Sequence, residues 1–167
     1  GLAYSVIIVG GMLAASTGIV GATVVTMGLI SFPTMIKRGY NTKLATGVIA
    51  SSGTLGQIIP PSVVLVLLGS VLNISVGDLV TSALLPGLTL VFLYLIYVFI
   101  ISILYPKAAP SMPDELIKKF RNETKIGEII KAFLLPFLLI FAVLGTIFAG
   151  IASPTEAAGV GAMGALI

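Results

Sequence analysis

The chain of 167 residues contains no cysteine and no histidine, and only 9% of its side chains are charged. Without cysteine it can form no disulfide, no thiolate nucleophile and no sulfur-ligated metal site. Without histidine it lacks the most common general base and a leading metal ligand. These absences exclude Ser-His proteolysis, haem ligation and most zinc chemistry, so the composition argues against an enzyme and predicts no transition metal.

Charge is absent from two long stretches, residues 1–36 and 44–77. Hydrophobic residues make up 57% of the chain, and the mean hydropathy is +1.18, whereas a soluble domain carries about 25% charged residues. We therefore expect an all-α integral membrane protein. The net charge of +3 comes from polar connections and indicates membrane topology rather than binding to nucleic acid.

Four apolar blocks follow one another, at residues 1–36, 44–77, 79–106 and 132–155. The break after the first block contains Lys37, Arg38 and Lys43, and residues 107–131 contain six Lys or Arg against four Asp or Glu. Because cytoplasmic loops are enriched in Lys and Arg, both breaks are predicted to lie inside. The second block then crosses outward and the third returns.

The first block is too long for one ordinary spanning helix. As a continuous helix its 36 residues would extend about 54 Å, against a hydrocarbon core of about 30 Å. One interpretation is a re-entrant hairpin of two half-helices that meet at Ser16, Thr17 and Gly18 and enter and leave by the cytoplasmic face. The alternative is one tilted spanning helix.

Two later segments resemble helix starts. Ser111, followed by Asp114 and Glu115, is predicted to cap an amphipathic helix that lies in the membrane interface, rather than a plain cytoplasmic connector. Ser153 precedes a proline and Glu156, and this pattern favours a structural, capping carboxylate over a functional intramembrane one.

Residues 52–62 combine two prolines, two glycines and several polar side chains. Two consecutive prolines remove two amide donors and force the preceding residue out of helical geometry. We expect a helix that ends near Ser52 and another that starts at about Pro61. Free carbonyls at the first end suit Na⁺, and free amides at the second suit a carboxylate, as in the discontinuous helices of secondary transporters. The alternative is a simple proline kink.

The residues of both interruptions carry a family resemblance. Residues 14–22 (AASTGIVGA), 35–40 (MIKRGY), 52–62 (SGTLGQIIPPS) and 151–162 (IASPTEAAGVGA) resemble, in order and spacing, the large membrane subunit of tripartite ATP-independent periplasmic (TRAP) transporters. The match extends over nearly the whole chain and is weakest at residues 79–135.

This resemblance implies an elevator-type, inverted-repeat fold that imports an organic anion, usually a carboxylate, with Na⁺ as coupling ion and no other cofactor. It implies three partners besides the lipid bilayer: a small membrane subunit, a periplasmic substrate-binding protein and the anion. It also implies a multi-pass location in the bacterial inner membrane.

The family organisation, transferred to this sequence, gives six segments. The hairpin at 1–36 and the broken helix at 44–77 would belong to the mobile transport domain. The segments at 79–106 and 132–155 would be scaffold, the segment at 107–131 a lateral interfacial helix, and 156–167 the start of the second half. The implied cation-binding residues are Ser16, Thr17, Gly18, Ser52, Gly53 and Gly56. The implied substrate-binding residues are Thr54, Gln57, Pro60, Pro61 and Ser62.

Two features limit this transfer. Many members carry three serines and a glycine at the hairpin tip, whereas this tip reads Ala-Ser-Thr-Gly, so carbonyls are expected to matter more than hydroxyls there. The chain also begins without methionine and stops within an apolar run, so we expect a piece of a longer polypeptide. The remaining alternatives are another elevator-type carrier without a binding protein, and a structural subunit that does not transport.

Overall fold

The computed structural model describes residues 1–110 and 126–165, and all regular secondary structure in these two ranges is helical. The predicted all-α class is therefore confirmed for the described part of the chain. The chain divides into two compact units, Gly1–Ser111 and Met112–Ile167. The α-helices are α1 (Leu2–Thr17), α2 (Val20–Lys37), α3 (Thr42–Thr54), α4 (Val63–Leu72), α5 (Val76–Leu104), α6 (Ile126–Phe148) and α7 (Pro154–Ala165).

Helices α1 and α2 form an antiparallel hairpin. The chain turns at Gly18, whose φ of 63° is left-handed, and at Ile19, which is extended. Glycine adopts a positive φ without the steric cost that other residues incur. The interruption predicted near Ser16, Thr17 and Gly18 is confirmed, and a single helix over residues 1–36 is wrong. That the hairpin re-enters one membrane face stays a prediction.

Helices α1 and α3 run side by side in the same direction. Their register follows from three close approaches: Gly1 lies beside the Tyr40 hydroxyl, Gly10 beside Ser52, and Gly56 beside the carbonyl of Ala14. The core of this unit joins α1, α2, α3 and α5 and is formed by Ala3, Val6, Ile7, Met27, Met35, Tyr40, Leu44, Ala45, Val48, Ile49 and Val98. Consequently α1 and α3 end at the same place.

The helix break lies slightly later than predicted. Helix α3 continues past Ser52 to Thr54, a 3₁₀ turn covers Leu55–Gln57, and α4 begins at Val63 rather than Pro61. Glycine alone does not stop α3, because Gly53 remains helical and packs against Val24. The prolines, which lack amide donors, set the break, and the peptide bond between Pro60 and Pro61 is cis.

Helix α5 packs within the first unit, against α1, α4 and the 3₁₀ turn. Gly87 of α5 approaches Ile58 and Ile59 in the break. The turn before α5 carries Asn73 with a φ of 53° and Ser75 as N-cap. Among the described helices, Val20–Lys37 and Val76–Leu104 are long and apolar enough to cross a membrane, by length and composition.

The second unit contains the antiparallel helices α6 and α7, in which Gly161 lies against Val143 and Gly164 against Leu139. Helix α6 already begins at Ile126, so the boundary predicted between residues 131 and 132 is wrong: one charged residue, Lys131, does not interrupt a helix. Helix α6 also ends at residue 148, earlier than the predicted 155. The predicted start of the interfacial helix, residues 111–125, lies outside the described residues.

The cap predicted for Glu156 is confirmed. Its carboxylate accepts hydrogen bonds from the Ser153 amide (2.7 Å) and hydroxyl (2.8 Å), while the Ser153 hydroxyl accepts the Glu156 amide at 3.4 Å. This reciprocal arrangement is a capping box. These hydrogen bonds lower the pKa of the exposed Glu156 carboxyl. The Ser153 amide has the larger effect and the Ser153 hydroxyl the smaller one. Glu156 lies at the start of α7, outside the candidate spanning helices.

Candidate functional site

The hairpin tip is held together by hydroxyl groups. The Gly18 amide donates to the carbonyl of Ala14 at 2.8 Å, which caps the end of α1. Across the hairpin, the hydroxyl oxygens of Thr17 and Thr23 lie 2.9 Å apart, and Thr23 is fully buried. Ser16 and Thr17 also donate to the carbonyl of Leu13, at 2.9 and 3.0 Å. The tip is therefore an ordered structure rather than a frayed helix end.

The helix break has its own hydrogen bonds. The buried hydroxyl of Ser62 donates to the carbonyl of Gln57 at 2.8 Å and accepts the amide of Leu65 at 3.4 Å. Ser62 thus caps α4 and also ties its start to the end of the 3₁₀ turn. Pro60 is buried beside it, whereas Thr54 and Gln57 are exposed.

The tip and the break are in contact. A Cβ placed on Gly18 would lie 3.3 Å from the carbonyl oxygen of Pro61 and 3.4 Å from the amide nitrogen of Val63. A Cβ on Gly56 would lie only 2.5 Å from the carbonyl oxygen of Ala14. Two regions that are about 40 positions apart in the sequence therefore form one site, in which glycines allow backbone to approach backbone.

Four helix ends meet at this site. Helices α1 and α3 both bring their carboxyl ends, and α2 and α4 begin there. A helix leaves its last carbonyls and its first amides without partners inside the helix, and its ends carry roughly −0.5 and +0.5 elementary charge. The site therefore offers backbone acceptors suited to a cation and backbone donors suited to an anion, without an ionised side chain.

The predicted cation-binding residues occupy two depths. Ser16 and Thr17 are exposed at the tip, and Gly18 is buried against the break. Ser52, Gly53 and Gly56 are buried where α3 and the 3₁₀ turn meet the hairpin. The hydroxyls of Ser16, Thr17 and Ser52 all donate to carbonyls in their own helix. Because each of these hydroxyls donates its hydrogen to a carbonyl, lone pairs of its oxygen remain available to bind a cation.

The sequence reasoning did not identify Thr23, Gly10 or the carbonyl of Ala14 as parts of this site. Thr23 follows Thr17 by six positions, which places the two hydroxyls opposite each other once the chain reverses at Gly18. The sequence contains this spacing, but it indicates a contact only if residues 1–36 form a hairpin. Gly10 and Ala14 belong to a row of small residues at every fourth position, Gly10, Ala14, Gly18 and Ala22, a pattern that permits close helix packing but does not by itself indicate a site. In the structure, the contacts of Thr23 with Thr17, of Gly10 with Ser52 and of Ala14 with Gly56 fix how closely α1, α2 and α3 approach one another at the site.

The contribution of the Ser62 cap is testable. We expect Ser62→Ala to lower the free energy of unfolding of the full-length protein by about 1–2 kcal/mol, the upper range for a lost N-cap, because the Gln57 carbonyl also loses its donor. Ser75→Ala, which removes an exposed cap bond of 3.3 Å to Asp78, should cost about 0.5 kcal/mol. Denaturant titration in micelles measures both values. Equal costs would show that the bond to Gln57 adds nothing.

Interrupted helices whose ends meet at one place are the arrangement with which many secondary transporters bind substrate and coupling ion. Comparison with known proteins agrees with this class. All 167 residues match the family model described as "Tripartite ATP-independent periplasmic transporter, DctM component". The chain therefore belongs to this family, and the resemblance seen in the sequence is confirmed.

Curated relatives are named as permease proteins. The C4-dicarboxylate TRAP transporter large permease protein DctM of Vibrio cholerae is 36% identical over 163 residues, which cover 98% of this chain and 34% of the relative. The protein of the same name from Pseudomonas aeruginosa is 33% identical over 163 residues, covering 98% and 36%. The ectoine TRAP transporter large permease protein TeaC of Halomonas elongata is 30% identical over 158 residues, covering 95% and 35%.

The chain thus spans about a third of the length of these relatives. No solved structure matches it.

Proposed function

We propose that the chain forms part of a Na⁺-coupled secondary transporter that imports an organic anion across the bacterial inner membrane. A periplasmic binding protein would deliver the anion, and a small membrane subunit would complete the transporter. Family membership supports this proposal. The structural observation that carries it is the contact of the hairpin tip with the helix break, at Gly18 and at Gly56.

The cation would bind at the carboxyl ends of α1 and α3. Two helix ends of about −0.5 charge each supply roughly the charge that one Na⁺ requires. Hard cations of this kind prefer oxygen ligands, and the oxygens of Ser16, Thr17 and Ser52, with carbonyls at Gly18, Gly53 and Gly56, are of this type. No group of three acidic side chains that might replace them occurs in residues 1–110 or 126–165.

The anion would bind at the amide ends of α2 and α4. Thr54 and Gln57 are exposed beside the break and would contact it, while Pro60, Pro61 and Ser62 would fix the position of the first amides of α4. A carboxylate suits these donors, and the bound Na⁺ would add attraction. Curated relatives are named for C4-dicarboxylates and for ectoine; we propose a carboxylate for this chain.

The moving part would be the first compact unit. Because α5 packs against α1, α4 and the break, we place α5 with the hairpin and the broken helix rather than with the scaffold. Helix α6 remains the proposed scaffold helix, and the segment at 107–125 the proposed connection. Motion of the first unit as one body would carry the site without separating its helix ends.

Substitution of Thr17 tests this function in the full-length protein with its small subunit and binding protein. We expect Thr17→Val to raise the Na⁺ concentration for half-maximal uptake by about tenfold, since hydrogen bonds and contacts to charged groups contribute about 1.5–3 kcal/mol. Thr17→Ser should remain near the wild-type value. Uptake of radiolabelled substrate into proteoliposomes, measured against Na⁺, gives these values.

Thr46→Val is the matched control. Thr46 is also an exposed helical threonine whose hydroxyl donates to carbonyls three and four positions earlier, but it lies on α3 far from the tip. Unchanged Na⁺ dependence in Thr17→Val would remove the tip from the cation site. Absence of uptake by the wild-type assembly would instead favour a structural subunit.

A further inference from the structure

A basic surface lies at the end of the first unit opposite the turn between α4 and α5. Lys37 and Arg38 end α2, Lys43 begins α3, and the amide of Asn41 donates to the carbonyl of Ala108 at 3.0 Å, which places Lys107 beside them. The only acidic residue in positions 1–110 is Asp78, at the start of α5. About 39 Å of helix separates Asp78 from the end of α5. Within residues 1–110, no acidic side chain therefore balances these four positive charges.

One nitrogen atom of the half-buried Arg38 guanidinium is buried. This nitrogen, Nη1, is shielded from solvent and makes no hydrogen bond with the part of the chain that the structure describes. A buried guanidinium nitrogen that lacks an acceptor costs free energy comparable to a lost charged hydrogen bond, and such groups are rare. The arrangement therefore calls for an anionic acceptor from outside the described residues.

A groove of about 470 Å³ opens at the same end of the unit. It is lined by Asn41, Leu104, Tyr105, Pro106, Lys107 and Ala108. One side is polar: Asn41 caps α3 and begins its positive end, and Lys107 is exposed. The other side is apolar, because Leu104 and Tyr105 are 65% and 63% exposed and continue the apolar surface of α5. The groove thus presents cationic and aliphatic faces side by side.

We propose that this groove binds the headgroup of an anionic phospholipid. Its phosphate would lie between Lys107 and the start of α3, with Arg38 and Lys43 supplying further positive charge, and its glycerol and acyl chains would follow Leu104 and Tyr105. A soluble anion would use the cations but not the apolar side, whereas a zwitterionic lipid would use the apolar side but not the excess charge. The proposal depends on membrane placement but not on Na⁺ coupling or on the substrate.

The test uses the full-length protein in neutral detergent, titrated with phosphatidylglycerol or phosphatidylcholine and followed by native mass spectrometry. We expect phosphatidylglycerol to bind at least about tenfold more tightly, and Lys107→Gln or Arg38→Gln to weaken it about fivefold each, the effect of removing one cation near an anionic headgroup. Lys107→Arg, which keeps the charge, should bind as the wild type does. Inorganic phosphate should not compete.

Equal binding of the two lipids, or phosphatidylglycerol binding that survives Lys107→Gln, would overturn the proposal. Competition by inorganic phosphate would also overturn it, in favour of a soluble anion. If Arg38→Gln lowers the melting temperature without lipid but leaves phosphatidylglycerol affinity unchanged, Nη1 pairs with a carboxylate elsewhere in the protein, and the lipid assignment fails. Lys107 is exposed, so its variants are expected to fold even if those of Arg38 do not.

Discussion

Valine in place of Gly56 is expected to abolish Na⁺-dependent uptake by the full-length transporter. The added Cβ would lie 2.5 Å from the carbonyl oxygen and 2.9 Å from the carbonyl carbon of Ala14. Both atoms belong to the backbone, so no change of rotamer relieves the overlap. The hairpin must separate from the 3₁₀ turn, at a cost of at least about 3 kcal/mol, the upper range for overpacking. Uptake into proteoliposomes measures the loss of transport, and the melting temperature measures the loss of stability.

Gly47→Val is the control for this substitution. Gly47 lies on α3 and has no heavy atom within 4 Å of its would-be Cβ, so valine there changes helix propensity but not packing. We expect Gly47→Val to retain most of the uptake. If Gly56→Val transported at the wild-type rate, the close approach of the hairpin to the break would not be needed for transport, and the proposed site would be wrong.

The sequence was sufficient to locate both interruptions. Proline has no amide hydrogen and glycine tolerates a positive φ, so Pro60 and Pro61 predict the break and Gly18 predicts the turn from local chemistry alone. The cap at Ser153 and Glu156 was predictable for the same reason, since all of its partners lie within three residues. Features of this kind depend on neighbours along the chain, which a single sequence displays.

Contacts between distant segments were not predictable. Nothing local in the sequence indicates that Ala14 approaches Gly56, or that Val24 packs against Gly53. Such contacts depend on the direction in which α1 and α3 run, which hydropathy does not determine. The boundary predicted after Lys131 is wrong for a different, local reason: one charged residue does not interrupt a helix, and α6 is continuous from Ile126.

The pair Gly10 and Ser52 should show a loss that a second substitution repairs. A Cβ on Gly10 would lie 2.5 Å from the hydroxyl oxygen and 2.7 Å from the Cβ of Ser52. Unlike at Gly56, the obstacle is a side chain. We expect Gly10→Ala to lower the free energy of unfolding by about 2 kcal/mol and uptake by more than tenfold. Adding Ser52→Gly should restore the free energy of unfolding to within about 1 kcal/mol, since it removes the overlap at the cost of one helical glycine.

The double variant also separates two roles of Ser52. Its hydroxyl donates to the carbonyl of Ile49 at 2.8 Å, and its oxygen is one of the proposed Na⁺ ligands. Because Ser52→Gly restores the space but not the oxygen, we expect Gly10→Ala/Ser52→Gly to lie within about 1 kcal/mol of the wild-type stability, while half-maximal uptake needs about tenfold more Na⁺. Recovery of the wild-type Na⁺ dependence would mean that Ser52 only fills space between α1 and α3, and that the cation is held nearer the tip by Thr17 and the helix ends.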